Sequence, residues 1–139
     1  MNKERIFFPM LALVALTFIV LLLIPYKRFQ AGRRKRVTSD DFKFGESQNV
    51  PPDVSIPNRN LMNLLEMPLL FYVACITLYV TSNVHGGVVI LAWLYFSLRV
   101  LHSAVHITYN KVFHRLTVYA ASNVVLGIIW FRLFVALTK

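Results

Sequence analysis

Four long apolar runs, at positions 6–24, 61–81, 88–107 and 116–137, limit what this chain can fold into more than any other feature. A helix needs about 20 residues to cross roughly 30 Å of hydrocarbon, and the runs hold 19, 21, 20 and 22 residues. Charge enters them only at Glu66, Arg99 and Arg132. Apolar residues fill 57% of the 139 positions and charged residues 15%, against about 45–50% and about 25% in soluble domains, which sets a water-soluble fold aside. The expectation is an all-α integral membrane protein with a single four-span domain over 1–139. Cys75 is the only cysteine, so an intramolecular disulfide is excluded. Fifteen Lys and Arg against six Asp and Glu suit anionic lipid headgroups rather than nucleic acid in so apolar a chain.

The first run is too long for the apolar core of a signal peptide, about 7–15 residues, and ends in Pro25, Tyr26, Lys27 and Arg28 rather than at a small-residue cleavage site. Pro9 falls in the first helical turn, where a missing N–H costs little. Pro68 lies inside the second span, so a kink is expected there. Between these spans, 27–60 reads as an exposed polar loop with a basic cluster at Arg33, Arg34, Lys35 and Arg36. The later turns, 82–87 and 110–114, are short, and short turns make successive helices antiparallel, giving an up-down bundle. Lys and Arg set orientation, because the cytoplasmic side carries their excess. The 27–60 loop with Lys111 and Arg115 holds ten, and the other side only Lys3, Arg5 and Lys139. Both termini are therefore expected on the non-cytoplasmic side, with 27–60 in the cytoplasm.

Ionisable residues inside a span cost about 2.5–3.5 kcal/mol each on insertion scales and need a partner or a wet cavity. In this chain they fall into stripes. Arg59, Asn63 and Glu66 are spaced four and three apart, as are, in reverse order, Arg99, His102 and His106, so each set occupies one helix face at 100° per residue. Arg115 opens the last span, with Tyr119 one turn deeper and Asn123 a turn beyond. Because chain direction alternates, the stripes share one half of the bilayer, with Glu66, His102 and Tyr119 roughly 6–10 Å further in than the arginines that open the helices. Three arginines against one carboxylate leave a positive hollow that attracts an anion. A blander reading is that Glu66 pairs with Arg59 or Arg99 and staples helices together.

These residues resemble the MAPEG family, the membrane-associated proteins of eicosanoid and glutathione metabolism, which include microsomal glutathione transferases, leukotriene C4 synthase and microsomal prostaglandin E synthase. The likeness rests on Arg-x-x-x-Asn-x-x-Glu (Arg59, Asn63, Glu66) followed by Pro68, on Arg-x-x-His (Arg99, His102), and on the Arg115–Tyr119 pair. The run 63–72 (NLLEMPLLFY) looks like a bacterial branch, which implies an inner-membrane location. The resemblance implies a homotrimer that binds glutathione as cosubstrate between subunits, near the cytoplasmic side. Arg59, Asn63 and Glu66 would hold the tripeptide, with Glu66 on its amino group. Tyr119 would contribute to binding, and Arg115 would face the thiol. Two positions depart from the pattern: His106 stands where relatives often carry a ligand-contacting tyrosine, and Leu116 replaces a serine proposed as catalytic in the prostaglandin synthase branch, which argues against that chemistry.

The implied activity is that of a glutathione-dependent transferase or peroxidase for lipophilic electrophiles or hydroperoxides. The nucleophile in such chemistry is the thiolate, and a thiol near pKa 8.5 is mostly protonated at neutral pH. A permanently charged arginine beside the sulfur favours the thiolate, and Arg115 is the candidate catalytic residue. The binding candidates are Arg59, Asn63, Glu66, Arg99, His102, His106 and Tyr119. Two other readings stay open. One is a non-catalytic trimer with an anion pocket. The other is a metal or haem site on His102 and His106, four residues apart on a helix but without the adjacent Glu of His-Glu-x-x-His or a thiolate companion.

Overall fold

The computed structural model describes residues 2–138. Among these, five α-helices form and no strand: α1 Phe7–Arg33, α2 Pro52–Leu65, α3 Met67–Val80, α4 Gly86–Ile107 and α5 Val112–Leu137. With α2 and α3 taken as one broken span, four helical units are long and apolar enough to cross a membrane, so the all-α four-span architecture stands as expected.

The boundaries differ from the sequence reading in an instructive way. α1 does not stop where its apolar run ends but passes through Pro25 to Arg33. Proline costs that helix one N–H, and the following Tyr-Lys-Arg-Phe-Gln-Ala has nothing to break it. The helix ends at Arg33, and two residues beyond it Lys35 turns the chain away with a left-handed φ of 54°. There the Arg36 and Lys35 N–H groups donate to the Ala31 and Gly32 carbonyls, each at 2.9 Å, closing the orphaned last turn. At the other end of the segment, Pro52 opens α2 at a position where no N–H is needed.

Only 34–51 therefore remains between the first two helices; most of its residues are exposed, as the sequence suggests, but it is pinned to the helices that flank it. Val37 and Val50 are buried with Ala31 and Val54 in a small core against which Phe42 packs. Arg28 bonds Glu46 at 3.1 Å and lies over the Phe42 ring, while Arg36 grips Asp53 through two bonds of 2.8 and 3.0 Å. Asp41 accepts from the Thr38 N–H, the Thr38 hydroxyl and the Ser47 hydroxyl. The backbone bond from Thr38, followed by that from Ser47, holds the Asp41 carboxyl below its ordinary value.

The expected kink of the second span is a full break at Glu66, whose ψ of −90° leaves the helical region. Pro68 lies in the first turn of α3 and cannot donate to Leu64. The Asn63 carbonyl also loses its backbone partner, and in low dielectric an unmatched carbonyl is costly. Arg99 supplies the remedy, donating Nη2 to the Asn63 carbonyl across from α4. Around this joint the bundle is apolar: Leu13 and Val20 of α1, Phe71 and Leu78 of α3, Ala92 and Tyr95 of α4 and Ile129 and Leu133 of α5 form one core. Phe71 and Tyr95 stack at 4.6 Å. Phe18, Leu22, Ile90 and Phe131 leave the outside apolar too, as hydrocarbon surroundings allow.

Candidate functional site

Where α4 ends and α5 begins, the second half of α2 joins them to line an open cavity of about 320 Å³. α2 contributes Arg59 and Asn63, four residues apart and so one turn above each other. His102 and His106 come from α4, again at i and i+4, and Val112, Arg115, Leu116 and Tyr119 come from α5. Six of the eight residues selected from the sequence thus line one space. The other two do not. Glu66 lies at the break, exposed and in no ion pair among the described residues, because the change of backbone direction takes it off the Arg59–Asn63 stripe. Neither pairing offered by the stapling reading, to Arg59 or to Arg99, forms. Arg99 is fully buried behind the cavity, with its guanidinium 5.5 Å from the centre of the Tyr119 ring.

Arg115 is the best anchored of the lining cations. Its Nη1 donates to Asn110 Oδ1 at 2.9 Å and lies 3.5 Å from His106 Nε2. The His102 ring sits 5.8 Å from that of His106 and 5.5 Å from that of Tyr119. Asn63 caps its own turn, donating to the Arg59 carbonyl at 3.0 Å. Both histidines are 2% exposed, yet neither Nδ1 has a protein partner, and the same holds for Nε and Nη1 of Arg99. Buried polar atoms are nearly always satisfied. Their concentration beside one cavity, with Arg59 and Arg115 on its wall and no carboxylate among its lining residues, marks a place suited to a polar anion.

Three residues that sequence reasoning passed over also belong to this region. Asn60, fully buried, accepts from the Ser103 hydroxyl at 3.3 Å and ties α2 to α4 beside the cavity. Position 60 lay within the assigned loop, and Ser103 is the residue after His102 on the next face, so only the early start of α2 reveals the pair. Asn110 is the third; its signal is an asparagine in a short helix–helix turn, a residue type that tolerates φ above zero. No group of three His, Cys, Asp or Glu that could hold a metal occurs among the described residues. Cys75 is buried in the apolar core, away from the site.

The MAPEG family model matches residues 6–135, which covers nearly all of the four long helical units and every residue of the cavity. No curated protein and no solved structure matches the chain.

Proposed function

Because this chain belongs to the MAPEG family, we propose that it is a membrane-bound glutathione-dependent transferase or peroxidase acting on lipophilic electrophiles or hydroperoxides. The observation that carries this reading is the meeting of Arg59, Asn63, His102, His106, Arg115 and Tyr119, from three helices, around one positively charged cavity. Its volume falls near the lower end of ligand cavities, about 300–1,000 Å³, which suits a tripeptide with two carboxylates. Arg59 holds a carboxylate, Asn63 and Tyr119 add polar contacts, and Arg115 faces the sulfur and stabilises the thiolate. An arginine suits this last role because it cannot lose its proton. Apolar cosubstrates reach the sulfur from the lipid beside the helices.

Arg59 and Glu66 are both exposed on the single chain, which supports a homotrimer in which a neighbouring subunit covers them and completes the site. Glu66 then takes the amino group of glutathione. The ten-to-three excess of Lys and Arg supports an orientation with the cavity and the 34–51 segment on the cytoplasmic side and both termini opposite. The bacterial-like run at 63–72 supports an inner-membrane location. Turnover of purified protein with glutathione and either an aryl halide or a lipid hydroperoxide tests the activity. A transferase or peroxidase forms conjugate or oxidised glutathione. Saturable glutathione binding without product would identify a binding protein and refute the enzymatic reading.

A further inference from the structure

The turn between α4 and α5 is braced in a way that bears on Arg115. Asn110 has a φ of 47°, in the left-handed region, and its N–H donates to the Val105 carbonyl at 2.9 Å. Tyr109 and His114 bridge the same turn, hydroxyl to Nδ1, at 3.1 Å. Helical side chains lean toward the helix N-terminus, so Arg115, in the first turns of α5, lies back over this turn, and its Nη1 meets Asn110 Oδ1 at 2.9 Å. The second neighbour of Nη1 is His106 Nε2 at 3.5 Å. A guanidinium has donors only. Asn110 Oδ1 is thus the close acceptor for this nitrogen, and His106 Nε2 a more distant second neighbour.

We infer that Asn110 is a positioning residue for Arg115: its Oδ1 holds Nη1 at the turn, beside the His106 ring, and leaves Nε and Nη2 as the donors that can face the glutathione sulfur. The inference rests on the glutathione reading above and adds to it the device that aims the charge. A long arginine has many rotamers, and one misaimed by an ångström loses much of its effect on a developing charge. A neutral acceptor at 110 serves this role, but an acid would not. A carboxylate at 110 would form a charge-assisted pair with Arg115 and compete with the thiolate for it.

The test follows the ultraviolet thiolate absorbance of glutathione bound to the purified full-length protein, as a function of pH. Asn110→Gly keeps the backbone conformation and removes only the acceptor, while Asn110→Asp is isosteric and tolerates the same φ. The glycine variant is expected to keep its assembly and to bind glutathione within about twofold, with the pH midpoint raised by up to about one unit and the thiolate fraction at pH 7 reduced by up to about threefold. The aspartate variant should lose more. A purely structural role for the turn would change yield or affinity and leave the pH midpoint where it is. Superimposable pH profiles for the native chain and both variants overturn the positioning role while leaving the glutathione site intact. Absence of any thiolate signal in the native protein overturns the glutathione reading itself. If the glycine variant does not assemble, Asn110→Asp alone decides, since an unshifted profile with a carboxylate against Arg115 is incompatible with the proposed contact.

Discussion

Replacing Arg115 by alanine should leave the bundle assembled and sharply reduce formation of the glutathione thiolate. Arg115 is only partly buried, and its protein contacts are to the turn and to His106, so its removal opens no cavity in the apolar core. A guanidinium about 4 Å from a thiolate contributes about 4 kcal/mol at an effective dielectric of 20. Desolvation of the thiolate opposes part of this; a net of about 2.7 kcal/mol would correspond to two pKa units. A thiol with pKa near 8.5 would then titrate near about 6.5, and the thiolate fraction at pH 7 would rise from about 3% to about 75%. The alanine variant should therefore show about 25-fold less thiolate absorbance when glutathione is added at pH 7 and regain it only as pH rises through about 8.5. Size-exclusion chromatography in detergent checks that assembly is unchanged. The same absorbance in variant and native protein at pH 7 would refute the assignment of Arg115.

Three further outcomes follow from the same structure. Arg99→Ala leaves the Asn63 carbonyl unsatisfied next to the break and should destabilise the protein by about 1–3 kcal/mol; in a Pro68→Ala background, where the helix can close its own bonds, the cost should shrink, and a double-mutant cycle by thermal unfolding with no coupling would contradict the remedy described for this joint. The depressed carboxyl of Asp41 contributes stability to 34–51 that is present above the unfolded value, about 3.9, and is lost as pH falls through the lower folded value; amide exchange in 34–51 should accelerate on acidification below about pH 4, and in Asp41→Asn this step should disappear, whereas equal acid sensitivity in both would rule Asp41 out as its cause. Because Cys75 is buried, Ser39→Cys provides one accessible thiol, and a membrane-impermeant maleimide should reach it only from the cytoplasmic face of the membrane; labelling from the outside would reverse the proposed orientation.

How far the sequence could be read depended on whether a feature was local. The spans were legible because hydrocarbon thickness imposes a length, and the cavity residues because helical spacing aligns 59 with 63, 102 with 106, and 115 with 119. Helix ends were not, since the apolar run of α1 records where lipid ends, while Tyr26 to Ala31 carry the helix onward in water. The fold of 34–51 depends on pairs 17 and 18 residues apart, Arg36 with Asp53 and Arg28 with Glu46, which no periodicity announces. Glu66 left its stripe because counting at 100° per residue assumes an unbroken helix, and Pro68 ends that assumption. Arg99 looked like a site cation from its spacing, but the carbonyl it satisfies exists only because of a break on another helix. Asn110 offered only the weak signal of an asparagine in a short turn, and its contact with Arg115 depends on how the α4–α5 turn closes.

The central claim is that arginines from different helices share one cavity that binds glutathione, and calorimetric titration of the purified protein with glutathione tests it most directly. Native protein should bind saturably, and Arg59→Ala and Glu66→Gln should each weaken binding about tenfold, about 1.4 kcal/mol. No saturable binding by the native protein, or native affinity in both variants, would contradict the account.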